Sequence, residues 1–174
     1  MRYTATAMTL HWFAALRVSC GFGLALFMTG LESAPEKLRY CAWHKGAGIT
    51  VFLLAAARLA RRAAHPAPAL PATMPQWQVR ASRVAHAVLL GLMLAIPLSG
   101  WIYSSSTGIS VVYLGLVPLP DLIPKDREMA KILLLAHKSL NYMLAAVVLV
   151  HVAAALKHHF VDRDDVLARM LPGR

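Results

Sequence analysis

Apolar positions in this chain run on without a break rather than alternating or recurring every third or fourth residue. Four such stretches extend over Met8–Leu31, His44–Leu59, Val84–Tyr103 and Lys131–Leu156. About 20 residues at 1.5 Å of rise cross a hydrocarbon layer of ~30 Å, so the pattern predicts four transmembrane helices. The second is the shortest, and Arg58, Arg61 and Arg62 at its end extend it by snorkelling to the interface. The first stretch is not expected to be a cleaved signal peptide. It lacks a strongly basic leader, and Arg17 sits inside the apolar run.

The connections place the ends. Between the second and third stretches lies HPAPALPATMP, which is too rich in proline to be helical throughout. Its flanks carry Arg58, Arg61, Arg62, Arg80 and Arg83 and no acid. With Arg2, Lys157, Arg163, Arg169 and Arg174 they make ten basic residues on one side. Lys37, Arg39, Lys45, Lys125, Arg127, Lys131 and Lys138 make seven on the other. That bias predicts both termini in the cytoplasm. The long segment YSSSTGISVVYLGLVPLPDLIPKDREM, between the third and fourth stretches, is broken by prolines and partly apolar. It is expected to fold back as a cap on the outer side.

Composition agrees. The 174 residues suit a single domain, and 58% hydrophobic with 15% charged departs from the ~25% charged of soluble proteins. Disordered, collagen-like and disulfide-scaffold classes are excluded. A net charge of +10 would suit nucleic acid, but the basic residues punctuate apolar runs, so a lipid bilayer is the expected partner. Cys20 lies mid-span and Cys41 just before the second stretch, which predicts two unpaired thiols.

The chemistry lies in the histidines. His11, His44, His86, His137 and His151 fall in or at the ends of spans, where ionisable groups are costly and face the bundle interior. Any one alone is ordinarily a hydrogen-bonded packing residue; their depths as a set say more. His137 and His151 are 14 residues apart on one span, so they share a face and are separated by ~21 Å along the axis. His44 can face His137 at the outer level, and His11 can face His151 at the inner level. Two stacked pairs suit two bis-histidine haems in a bundle core. Small neighbours, Gly46 and Gly48, Ala14 and Ala15, Ala154 and Ala155, would let a flat macrocycle approach, although they also serve helix packing. Zinc fits less well, because each pair offers only two histidines and the spans hold no carboxylate.

Other residues stay open. His86, with Arg83 one turn before it, lies at the inner depth and could replace an inner ligand, contact a quinone or propionate, or simply pack. Arg58 lies 14 residues after His44 and could meet a propionate or end the span. Arg17 could do either as well, or serve a quinone. His158 and His159 suit the end of the last helix, and His65 suits solvent.

The motifs LHW at His11, WHKGAGI at His44, ARLARRAAHPAP, RVAHAVLL at His86, AHKSLNY at His137 and HVAAALKHHF with LARMLPGR extend over nearly the whole chain. In that order the chain resembles the bacterial cytochrome b561 family, all-α four-helix membrane proteins with two b haems that include a superoxide:ubiquinone oxidoreductase. The resemblance implies that His11 and His151 hold a cytoplasmic-side haem and His44 and His137 a periplasmic-side haem, in the bacterial inner membrane. It moves His86 away from ligation.

Two activities follow as expectations. One is oxidation of superoxide at the periplasmic face with electrons passing to ubiquinone, aided by anion steering at Lys45 and Lys138, which each follow an outer ligand. Five acids share the outer loops and leave a net of only +2, so these charges are also explained by solvation. The other is a non-catalytic subunit relaying electrons between a dehydrogenase or hydrogenase and quinone, with the long outer loop as its docking surface.

Overall fold

The computed structural model describes residues 2–32, 35–66, 68–71 and 74–171. Arg174, counted above on the inner side, lies outside them, as do residues 67, 72 and 73 of the proline-rich linker. The fold is mostly helical. Its long elements are α1 (Ala5–Thr29), α2 (Pro35–Ala64), α3 (Gln76–Thr107) and α4 (Arg127–Phe160), and a short 3-10 turn, Ala168–Met170, closes the described chain.

All four helices extend past at least one end of the apolar stretches, because caps rather than hydrophobicity end them. Thr4 accepts from the Ala7 amide at 3.3 Å at the start of α1. Asp126 accepts from the Glu128 and Met129 amides at 2.9 and 3.0 Å at the start of α4. Pro35 opens α2, where its missing N–H costs nothing. Gly108 ends α3 in the left-handed region, φ 76°, with Lys125 packed where a side chain would go. Three helices, α1, α3 and α4, are long and apolar enough to cross a membrane. α2 has the length but carries Glu36, Lys37 and Arg39 at one end and Arg58, Arg61 and Arg62 at the other.

The helices pack in chain order, α1 on α2, α2 on α3 and α3 on α4, while α1 and α4 scarcely pack against each other. The buried core is thin. Ala14, Val51, Ala55 and Met93 form one cluster, and Leu92, Ile96 and Leu144 another. Ala14 is fully buried between helices, so its small size serves packing rather than clearance for a macrocycle. Large apolar side chains face outward instead, Leu135 at 67% and Leu149 at 70% exposure, as a lipid-facing surface requires.

Both ends are covered by non-helical chain. On one side Val112–Tyr113 (β1) pairs antiparallel with Val117–Pro118 (β2), and β1 packs on α2. Lys45 donates to the Ile109 carbonyl at 2.9 Å, the Trp101 indole donates to the Pro120 carbonyl at 3.0 Å, and Val111 is buried. The loop thus folds back as the sequence led one to expect, leaving Leu114 and Leu116 exposed at its tip. At the other side the chain after α4 turns back under the bundle. His158 Nδ1 lies 2.6 Å from Asp164 and 3.2 Å from Asp162, joining the turn to the helix end. Arg169 pairs with Asp165 at 2.8 Å and donates to the Ala69 carbonyl of the proline-rich linker at 2.6 Å. The Trp12 indole donates to the Met170 carbonyl at 2.7 Å. His65 is exposed, and both cysteines are free.

Candidate functional site

Histidines from different helices meet in two layers. In the layer nearer the β1–β2 hairpin, called outer for that position in the bundle alone, His44 of α2 faces His137 of α4, with ring centres 6.3 Å apart. In the layer nearer the C-terminal turn, called inner in the same sense, His11 of α1 faces His151 of α4, also at 6.3 Å. The spacing has a chemical meaning. At that spacing each pair would hold one metal centre between its rings, through a bond of about 2 Å to a nitrogen of each. His86 of α3 lies closer to His151, in edge contact with ring centres 5.3 Å apart.

The outer pair is also set for ligation by its hydrogen bonds. His44 Nδ1 lies 3.2 Å from the Gly21 carbonyl, which only accepts, so Nδ1 carries the proton. Ser99 donates its hydroxyl proton to the Ile96 carbonyl at 2.7 Å, so at 2.9 Å from His137 Nδ1 its oxygen is the acceptor. In both rings Nδ1–H is committed and Nε2 keeps its lone pair, as a histidine metal ligand requires. Gly100 supports the same ring. A Cβ there would lie 3.0 Å from His137 Cε1, so the imidazole rests against bare α3 backbone. Asn141 donates to the His137 carbonyl at 2.7 Å one turn on.

The inner layer is held differently. Arg58 Nη2 lies 3.4 Å from His11 Nδ1, and its Nη1 lies 3.9 Å from Met93 Sδ. Arginine only donates, so His11 Nδ1 is the acceptor there and the ring proton is on Nε2. Ligation through Nε2 therefore requires Arg58 to leave Nδ1, which frees the guanidinium for another acceptor. Trp12 stacks edge-on against His11 at 5.2 Å and ties it to the C-terminal turn.

The structure brings His11, Arg58, His86 and His151 into one cluster and His44 with His137 into another. Arg83 is not part of either, being exposed without a hydrogen bond or ion pair among the described residues. Lys45 is half-buried and engaged with Ile109, while Lys138 is exposed. Sequence reasoning missed Ser99, Gly100, the Gly21 carbonyl and Met170. None carries a periodic signal tying it to a histidine, and Ser99 is 38 residues from its partner.

Residues 2–173 match the family described as prokaryotic cytochrome b561. This chain belongs to that family. Membership makes it a multi-pass membrane cytochrome b, and it implies b-type haem as the cofactor, which the two histidine layers fit in donor type and spacing. Among relatives, the chain is 31% identical to cytochrome b561 homolog 2 of Escherichia coli over 98% of this chain and 91% of that protein. It is 30% identical to cytochrome b561 homolog 1 of the same organism over 99% and 98%. It is 27% identical to a probable superoxide oxidase, CybB, of Yersinia pestis over 98% and 96%.

Proposed function

We propose that this chain crosses the bacterial inner membrane four times, α2 included, with both termini in the cytoplasm and two b haems in its core. His44 and His137 hold the periplasmic-side haem, and His11 and His151 the cytoplasmic-side haem. The observation that carries this is the repeated 6.3 Å spacing of the two pairs. The proton commitment at His44 and His137 supports it.

The activity proposed is oxidation of superoxide coupled to reduction of ubiquinone. Two superoxide anions, one ubiquinone and two protons become two dioxygen molecules and one ubiquinol. Bound haem supplies the one-electron redox step between a one-electron donor and a two-electron acceptor. The protein's own part is to hold the two sites at fixed depth, keep water out of the core, and attract the anion. Lys125, Arg127 and Lys131 line one outer hollow, although Lys131 is paired with Glu128 at 2.8 Å. Lys45 and Lys138 add charge beside the outer ligands. Arg58, once off His11, is placed to meet a propionate, and His86 beside it remains the inner candidate for a quinone. The similarity to a probable superoxide oxidase supports the choice of donor.

The test is a superoxide pulse onto the oxidised, purified protein, with and without a soluble ubiquinone, following the haem α-band. Reduction that ubiquinone reverses, repeating with each pulse, is the expected result. A haem that dithionite reduces and superoxide does not would overturn the activity.

One observation favours a second reading, an electron-transfer subunit bound to a dehydrogenase or hydrogenase. Leu114 and Leu116, at 69% and 81% exposure, form an apolar tip on the outer hairpin suited to a protein partner. Turnover by the isolated protein would exclude the need for that partner.

A further inference from the structure

Arg17 lies at the centre of α1, twelve residues or ~18 Å of helix from either end, and so in the middle of an apolar run rather than at its edge. Its Nε is enclosed without a hydrogen-bond partner, and among the described residues the guanidinium has no ion pair. A cation left uncompensated in a low-dielectric interior is strongly unfavourable, so the surroundings must offer it an anion. Among the described residues the protein itself does not. Arg17 lines a cavity in the bundle with His44, His137 and Asn141, and no carboxylate lines that cavity.

The position along the helix is specific. Gly21, whose carbonyl holds His44, is one turn outward on the same face of α1. His11 is six residues inward, ~9 Å along the axis. The guanidinium therefore lies on the inner side of the outer histidine layer, between the two layers.

The geometry points to Arg17 as the anchor for a carboxylate carried by the group held between His44 and His137, a porphyrin propionate, with one fixed positive charge thereby built in between the two redox sites. This rests on the di-haem reading above. The planar guanidinium fork of arginine suits a carboxylate, giving two parallel N–H···O bonds. The charge also acts on the redox equilibrium. Reduction removes one positive charge from the iron centre, so a nearby cation favours the reduced state of the outer site. Its loss lowers that site's midpoint potential.

The experiment is a spectroelectrochemical titration of the purified holoprotein and of its Arg17→Gln and Arg17→Lys variants. The haem lost in a His44→Ala variant identifies the outer wave. Arg17→Gln is expected to retain both haems and lower the outer midpoint by at least 59 mV, a tenfold change for a one-electron couple, with a smaller shift of the inner wave. Arg17→Lys, which keeps the charge without the fork, is expected to recover most of that shift. An unmoved outer wave, or equal movement of both waves, would overturn the assignment. Should Arg17→Gln not accumulate, the unaltered protein carries the test. Its infrared redox difference spectrum, with haem 13C-labelled at the propionates, should show an ionised carboxylate responding to outer-site reduction. A protonated acid band alone would overturn the pairing. A wild-type protein without two titrating haems would overturn the di-haem reading itself, whereas two haems with unmoved midpoints would overturn the role of Arg17 only.

Discussion

Ser99 fixes the protonation of His137. Its hydroxyl is spent on the Ile96 carbonyl at 2.7 Å, so it accepts from His137 Nδ1 at 2.9 Å and leaves Nε2 unprotonated. Partners of this kind orient a ligand and raise its basicity, and their loss typically costs ~10–100-fold in metal affinity. On the proposed di-haem arrangement, Ser99→Ala should therefore weaken the outer haem by that order and leave the inner one intact. Haem-to-protein ratio after detergent washing, with low-temperature α-band spectra to separate the two sites, measures this. Equal loss of both haems would contradict it.

Gly100 tests the same ring by volume. The added methyl of Gly100→Ala would press on His137 Cε1 at 3.0 Å and Nδ1 at 3.3 Å. Overpacking of this sort costs about 1–3 kcal/mol, or moves the ring. The variant should insert with unchanged helix content by circular dichroism and, on the proposed di-haem arrangement, carry one haem instead of two. His44→Ala should give the same one-haem spectrum, because each change removes one side of the same pair.

The layers themselves were legible in the sequence. Fourteen residues between His137 and His151 set one face and two depths, and the structure places His44 and His11 opposite them. The supports were not legible, since they depend on which backbone carbonyl or serine a neighbouring helix presents, and that follows from helix rotation. Rotation also decided Ala14, which points into the packing of α1, α2 and α3. The helix ends ran past the apolar stretches because Asp126 and Gly108, both polar or small, act as caps.

Beneath the inner layer the C-terminal turn is held by Arg169. Donation from Arg169 keeps the Asp165 carboxyl below its usual range. A depressed folded value means the contact contributes fully above the ordinary carboxylate value of ~3.9 and is lost as pH falls through the lower folded one. The turn should thus stay protected from protease at pH 5 and above and become cleavable only in stronger acid. Arg169→Ala, which also removes the bond to Ala69, should make it cleavable at neutral pH. Cleavage rate at the C-terminus by limited proteolysis reports both.

Lys138 separates steering from architecture. Lys45 holds Ile109, so reversing its charge also disturbs the outer loop, whereas Lys138 is exposed. If superoxide is drawn by the outer cations, Lys138→Glu should slow haem reduction several-fold at low salt and flatten its dependence on ionic strength. An unchanged rate and salt slope in stopped-flow would assign the attraction elsewhere.

The packing of the helices in chain order, with α1 scarcely touching α4, has a consequence for biogenesis. Both histidine layers pair α4 with a helix beyond α3, and the inner layer bridges that unpacked seam directly, His11 to His151. A bundle packed in this order can form as each helix enters the membrane, with the pairing of α1 and α4 made last. Protein made in haem-starved cells should accordingly be inserted, stable and competent to mature when haem is restored.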